Sequence, residues 1–398
     1  MLLNAPYPAD IRVKKETQAL LAAGFEIFLL CLRKKGEPIL QDFEGIHVVR
    51  IDAGKNNYGL AFWDVVMSFN FIHPKFKARA RELIKKENIK LVHVHDLPLA
   101  GTALSLKKEL PIKVVLDMHE NYPEALRTWF KWKKNPVVLL KNYLFLNPVR
   151  WQRFEKEACL QADHIIAVVD EMKNRLVHDH AIAPEKITVV TNTEDKSFVR
   201  QPLDHSVYQN LKDKFILTYS GGIGPHRGVD TAIKGMKWLQ SNPKIQLAIV
   251  GNGSRSVMKS LKTLVSSLQL NNVHFLGYQP FAKFYSYMKL THINIIPHQS
   301  NGHTDNTVPH KLFQGMMTGK PLLVSSSAPL KRLVEKYQSG LVFDAGNDHD
   351  FALKVVELFN NESLSGALGE NGMRATLAGK LNWDEDQNNL IDLYKNLD

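Results

Sequence analysis

Twelve short apolar runs, rich in β-branched residues, punctuate this chain, with longer stretches of helical periodicity between them. They fall at 25–32, 47–51, 91–95, 113–118, 164–169, 187–191, 215–220, 245–250, 273–276, 293–297, 321–325 and 340–343. Within each run hydrophobicity is continuous rather than alternating, the pattern of strands buried on both faces. Parallel neighbours need a crossover, so strand–helix–strand alternation predicts parallel sheets wrapped by helices on both sides. At 398 residues the chain is too long for one ordinary core and suits two such domains.

The polar, uneven stretch 193–214 contains Pro202 and precedes a fresh strand, so it is read as the seam. The expected division is residues 1–205, residues 206–380 and a final helix over 381–398. Asp384, Glu385 and Asp386 lie in that helix's first turn, where negative charge suits the helix dipole. The first strand looks short, since only Met1–Leu3 precede an Asn4–Ala5–Pro6 turn. A start a few residues upstream is therefore expected.

Composition excludes several classes. Hydrophobic content of 44% and charged content of 23% are those of a globular protein. Cys31 and Cys159 cannot build a disulfide framework, and no Cys/His metal spacing occurs, so inert thiols in a reducing cytoplasm are expected. Asn4 and Asp10 break any signal-peptide pattern. No run approaches the roughly 20 apolar residues of a membrane span. The net charge of +11 is locally uneven. Residues 127–156 hold Arg127, Lys131, Lys133, Lys134, Lys141, Arg150, Arg153 and Lys156 against Glu155, interleaved with Trp129, Phe130, Trp132, Tyr143, Phe145 and Trp151. Such a surface suits an anionic membrane face or a phosphorylated acceptor. The plainer reading is a solvated face over core aromatics. No nucleic-acid-binding module is present, and none is expected as a partner.

Three segments of the second half are candidate ligand loops. Asp305-Asn306-Thr307-Val308-Pro309-His310-Lys311-Leu312-Phe313-Gln314 runs into Gly319 and Pro321. Pro309 suits the first helical position and the Gly–Pro end makes a stop, so a short helix should point its N-terminal N–H groups and Lys311 at a pyrophosphate. An ordinary capped crossover fits the same residues. Gly221-Gly222-Ile223-Gly224-Pro225-His226-Arg227 lets backbone approach a ligand, and Arg227 offers a guanidinium to phosphate. Gly251 and Gly253 form a tight turn after the run 245–250, read mainly as structural.

In the first half, His95-Asp96 and Asp117-Met118-His119-Glu120 close consecutive strands, and Glu124 follows. Ligands bind beyond such strand ends. A metal at His93 and His95 is disfavoured on the expectation that the strand splits the pair between its two faces. Asp348-His349-Asp350 imitates a metal-binding DxD but reads better as a helix cap. No GxSxG is present, so a serine hydrolase has no support.

Taken together, these segments resemble the family-4 retaining glycosyltransferases of the GT-B fold, nearly end to end. Residues 7–16, with Asp10 and Arg12, are similar to that family's opening loop and first helix. His95-Asp96-Leu97-Pro98 and Asp117–Glu120 resemble its cleft motifs, Val190–Thr193 its domain-seam turn, and residues 219–228, 250–253 and 309–321 its donor loops and helix. The resemblance implies two Rossmann-like domains facing across a cleft, with the last helix crossing back to the first. It implies catalytic roles for His119, Arg227 and Lys311. Donor contacts would come from Gly221, Gly222, Gly224, Arg227, Gly251, Asn306, Thr307, Val308, Pro309, His310, Lys311 and Gln314. Acceptor-side residues would be Asp10, Arg12, His95, Asp96, Glu120 and Glu124.

The family's two glutamates, eight apart, read here as Asn306 and Gln314, with Asp305 and His303 as candidate stand-ins. Its second basic residue falls on Gly222. The implied reaction moves a hexose from a nucleotide-sugar to a glycan or lipid-linked acceptor with retention. Neither a metal nor another cofactor is called for, and a surface-polysaccharide pathway is the family habit. The rivals are a degenerate binding or scaffold protein, and an epimerase or phosphorylase of the same fold.

Overall fold

The computed structural model describes residues 1–52, 57–130, 139, 142 and 145–397. The chain divides into two compact units. One is Met1–Thr191 with Gln387–Asp398, and the other is Asn192–Asp386.

The first unit contains β1 (Leu2–Pro6), β2 (Phe28–Leu32), β3 (Leu40–Phe43), β4 (Ile46–Ile51), β5 (Leu91–His95), β6 (Lys113–Met118), β7 (His164–Ala167) and β8 (Ile187–Val189). They form one sheet in the order β3-β4-β2-β1-β5-β6-β7-β8. Every pairing is parallel except β3 with β4. The second unit holds β9 (Phe215–Ser220), β10 (Ile245–Val250), β11 (Val273–Gly277), β12 (Ile293–Ile296), β13 (Leu322–Ser325) and β14 (Gly340–Phe343). These run parallel in the order β11-β10-β9-β12-β13-β14. In each sheet the strand order reverses beside the unit's first strand, at β1/β5 and β9/β12. Those reversals open crevices at the carboxyl ends of the strands.

The apolar runs became strands because they are buried on both sides; all six residues of β10 are buried. All twelve are strands. The structure adds β3, whose Leu-Gln-Asp-Phe sequence carries no continuous apolar signal because it is an antiparallel edge. β1 is also corrected. It has five residues because it continues through Asn4–Ala5–Pro6, the segment expected as a turn, and so has ordinary strand length.

The seam is corrected from residue 205 to residue 191. Residues 192–211 are not a linker. Phe198 packs with Met288 and Met317, while the Tyr208 hydroxyl bonds Thr218 and donates to the Tyr287 carbonyl, which ties this segment to the second unit. The final helix, Trp383–Leu397, begins in the second unit, where the Trp383 N–H donates to the Glu194 carbonyl. From Gln387 onward it belongs to the first unit, as the sequence led us to expect of the C-terminal helix. Cys31 and Cys159 are free and buried, and burial pushes the Cys31 thiol up to about 11, as expected of inert thiols.

Candidate functional site

In the second unit, β9 runs into the glycine loop. Gly251 adopts φ +138, and a Cβ there would lie 1.9 Å from the Gly221 carbonyl oxygen, so only glycine lets the two loops touch. The Ile223 N–H donates to the Asn252 carbonyl at 2.9 Å and locks them together. Gly251 is thus a support for the first loop, in keeping with its structural reading. Gly228 is held as tightly: φ is +63, and a Cβ would sit 1.6 Å from the Pro297 oxygen. That approach brings Arg227 to His298, with Nη1 3.2 Å from Nε2.

The helix His310–Met317 aims its N-terminus at this loop. Pro309 caps it with extended backbone, so the helix starts one residue later than the proline suggested. Gly319, at φ +70, helps end it. Lys311 points back toward the loop: its Nζ would be 3.7 Å from a Cβ on Gly221 and lies 3.8 Å from the Tyr219 ring centroid. This Nζ is buried with no hydrogen-bond partner among the described residues. Burial, then the Arg227 charge, holds Lys311 well below the usual lysine range. His298 is depressed by burial and by Arg227 and Lys311, and His226 falls to about 3 for the same reasons. The His226 and His303 rings lie 4.9 Å apart. The charged groups acting on Lys311, His226 and His298 are all basic. Basic side chains thus gather around the Gly221 loop.

The other half of this region departs from expectation. Asn306 folds its amide back onto the Gly302 carbonyl at 2.8 Å. Asp305, a candidate stand-in, binds Ser300 and the Ala328 N–H, so its carboxylate is used as a cap. Val308 is buried and its carbonyl accepts from Asn192 at 3.3 Å. Gln314 donates to the Glu194 carboxylate at 2.6 Å. The DxD imitation is a helix start, with Asn347 accepting from the Asp350 N–H.

In the first unit, a buried ion network gathers at the ends of β5 and β6. Arg12 Nη2 sits 2.8 Å from Asp117 and 2.9 Å from Glu16. Asp117 also lies 2.6 Å from His119 Nε2, and Asp96 lies 3.3 Å from His119 Nδ1. Burial alone would lower the His119 pKa, but Asp117 and Asp96 outweigh it and push it up to about 10. His119 is therefore an imidazolium at neutral pH, and with 14% of its side chain exposed it meets solvent together with Asp96, which is 30% exposed. Burial would raise Asp117, yet Arg12 and His119 hold it well below the carboxylate range. Burial lifts Glu16 to about 8 and Asp96 to about 7. Asp96 has φ +62, a strained backbone of the kind that functional sites retain.

The expected splitting of His93 and His95 is wrong. Residues two apart on a strand share a face, and their ring centroids are 4.3 Å apart. Glu16, His93, His95 and Asp117 consequently bring four ligand-type atoms within 4.8 Å of one another. Arg12 and His119 already set two positive charges against Asp117, and Glu16 is held largely protonated, so a divalent ion would add uncompensated charge to a buried site. Behind the network, Tyr394 of the final helix meets His93 Nδ1 at 2.6 Å. Asp10 is a helix cap, accepting from the Arg12 and Val13 N–H groups. Glu124 is engaged by Arg127.

Two family models cover most of the chain: Glycosyltransferase Family 4 matches residues 11–197, and Glycosyl transferases group 1 matches residues 201–375. The chain belongs to the family-4 glycosyltransferases. A glycosyltransferase of Methanocaldococcus jannaschii, MJ1178, is 26% identical over 306 residues, or 77% of this chain and 75% of that one. The capsular polysaccharide biosynthesis glycosyltransferase CapM of Staphylococcus aureus is 21% identical over 58% of this chain and 62% of its own length. Among solved structures, Anabaena Alr3699/HepE in complex with UDP-glucose superposes with a TM-score of 0.73 at 12% identity, covering 99% of this chain and 98% of that one. That likeness carries the GT-B fold.

Within this glycosyltransferase, the structure unites His119 with Arg12, His95 and Asp96, and Arg227 with Lys311 and the Gly221 loop. Glu124 and Asp10 make local contacts instead, and Asn306 bonds its own loop. Sequence reading missed Glu16, Asp117 as the hub, Tyr394, His298 and Glu194. Of these only Asp117 carried a signal, as a carboxylate ending a buried strand. Part of the basic surface also proves structural. Trp151 is fully buried, and Arg150 donates to the Ser68 and Phe69 carbonyls. Lys131, Trp132, Lys133, Lys134, Lys141 and Tyr143 lie outside the described residues. Among the described residues, no helix is long and apolar enough to cross a membrane.

Proposed function

We propose that this glycosyltransferase moves a hexose from a nucleoside diphosphate sugar to a glycan or lipid-linked acceptor, with retention and without a divalent metal, in surface-polysaccharide synthesis. The observation that carries the proposal is the buried Lys311 Nζ, with no acceptor among the described residues, between the Tyr219 ring and the Gly221 loop, with Arg227 beside it. A leaving diphosphate supplies the missing anion. Its charge builds in the transition state, and fixed cations in a desolvated place stabilise it most. On this reading the acceptor oxygen bonds to the anomeric carbon on the face where the carbon–phosphate oxygen bond breaks. The departing phosphate oxygen takes the acceptor proton. His119, as an imidazolium, is assigned the hydroxyls of the transferred sugar.

Incubation with UDP-, GDP- and ADP-hexoses in EDTA, with a lipid-linked or glycan acceptor pool, tests this. Transfer with the donor's anomeric configuration retained is expected. A need for a divalent ion, or an inverted product, would contradict the corresponding part. Donor binding without transfer to any acceptor would favour a degenerate binding protein, the reading that the engaged Asn306 amide supports.

The same proposal includes contact with an anionic membrane face through residues 127–156, where Trp129, Arg153 and Lys156 are exposed. Co-sedimentation with phosphatidylglycerol vesicles but not phosphatidylcholine vesicles is expected. Equal partitioning to both would remove this part.

A further inference from the structure

In the first unit three imidazoles crowd one carboxylate oxygen. His119 Nε2, His95 Nδ1 and His93 Nε2 lie 2.6, 3.2 and 3.4 Å from Asp117 Oδ2. The three rings are not equivalent. His93 and His95 are each 1% exposed, whereas 14% of the His119 side chain reaches solvent. A proton held at His119 puts positive charge where a ligand can meet it. The same proton at His93 would be hidden in the interior. Attraction to Asp117 favours a charge on any of the three, so other groups decide where it resides.

Around His93 that decision is legible. An ionised carboxylate only accepts, so the ring proton of His93 belongs on Nε2, toward Asp117 at 3.4 Å, with Glu16 of the first helix 3.7 Å away. That leaves a lone pair on Nδ1, and the Tyr394 hydroxyl lies 2.6 Å from it. Tyr394 is buried, and among the described residues its hydroxyl has no other hydrogen-bond partner. Were it to accept from Nδ1, its own proton would be buried without an acceptor, at a cost of about 1–3 kcal/mol. Donating to Nδ1 avoids that. Burial, then Glu16 and Asp117, hold the phenol well above its usual range, so it keeps the proton it donates. A hydrogen bond to the neutral form of a ring opposes its charging. Burial, the Met1 amino group and His119 act on His93 in the same direction, against Asp117. His95 is kept neutral by burial and by His93.

We infer that Tyr394 is a positioning residue for His119: by donating to His93 Nδ1 it keeps that ring neutral and leaves the Asp117-bound proton to the one imidazole that a sugar can reach. This rests on the assignment of His119 to the transferred sugar and deepens it. The contact spans 301 residues of sequence, and no cleft motif includes it. The charge offered to the ligand thereby depends on how the final helix is seated against β5.

The test is NMR titration of the histidine rings in the intact chain and in Tyr394→Phe. Phenylalanine keeps the ring, which meets Phe25 edge-on at 5.4 Å, and removes only the hydroxyl; thermal unfolding reports whether the variant folds. In the wild type, His119 alone of the three should stay charged up to about pH 10. In Tyr394→Phe, His93 should take up a proton and the His119 pKa should fall by about one unit or more, the scale of a like charge close by. The alkaline limb of turnover in a transfer assay should move down by the same amount. Adding His93→Gln supplies an amide that can donate to Asp117 but cannot be charged, so the double variant should return His119 to its wild-type titration. An unmoved His119 in Tyr394→Phe overturns the inference, even with a lower melting temperature, because that is the signature of a merely structural hydroxyl. So does a double variant that fails to restore it. A His119 titration that falls while the turnover profile stays in place would instead remove His119 from the reaction, and Tyr394 would have nothing to position.

Discussion

Replacing Lys311 with methionine should move stability and function in opposite directions. The wild-type side chain is buried, its Nζ has no hydrogen-bond acceptor among the described residues, and its pKa is depressed by burial and by Arg227. An unsatisfied buried polar group costs about 1–3 kcal/mol. Methionine keeps the unbranched stem and the volume, and its sulfur packs favourably against an aromatic ring. That ring is present, since Nζ now lies 3.8 Å from the Tyr219 centroid. The unliganded variant should therefore melt higher, by roughly 2–8 °C for units of this size. It should also bind nucleoside diphosphate about 10²-fold more weakly, the scale of losing one donor aimed at developing charge. Differential scanning calorimetry without ligand and titration calorimetry with it measure both. A destabilised variant would mean that Lys311 is held by contacts that keep it content. Unaltered nucleotide affinity would mean that the ammonium faces no phosphate. Either result refutes the reasoning.

Three further outcomes follow from the same geometry. Arg227→Ala should lower turnover by about 10²-fold or more; unchanged turnover in a transfer assay would take Arg227 out of the site. Asp117→Asn should bring the His119 pKa down from about 10 by roughly 2 units or more, because the largest charge raising it is gone. NMR titration of the imidazole reads this, and a value still near 10 would remove Asp117 as the hub. Because the folded pKa of His119 is raised, its stabilising contribution is complete below about 6.5 and lost as the pH rises through about 10. The stability advantage of the wild type over His119→Gln in urea, on the order of a few kcal/mol at pH 6.5, should therefore shrink by pH 10. A constant difference would contradict the assignment.

The fold was legible because its strands are buried on both faces: runs such as Ile245–Val250 announce themselves whatever surrounds them. β3 was not legible, since an antiparallel edge strand faces solvent and is written Leu-Gln-Asp-Phe. The seam was misplaced because Phe198 and Tyr208 choose their unit by packing, and packing partners at Met288 and Tyr287 leave no local trace. The site divided in the same way. Loop chemistry such as Gly221–Gly224 and Arg227 is local and could be read. Contacts that link Arg12 to Asp117, Tyr394 to His93 and Gln314 to Glu194 span 105, 301 and 120 residues, and only folding brings them together. His93 and His95 were legible in principle, since two-residue spacing places both on one face.

The central claim is that the second unit's basic side chains Lys311 and Arg227 hold the donor's diphosphate. A crystal structure of the intact chain with the tightest-binding nucleoside diphosphate, grown in EDTA, tests it most directly. Phosphate oxygens within about 3 Å of Lys311 Nζ and of the Arg227 guanidinium are the predicted result. Phosphates bound elsewhere, with Lys311 still lacking an acceptor, would contradict it.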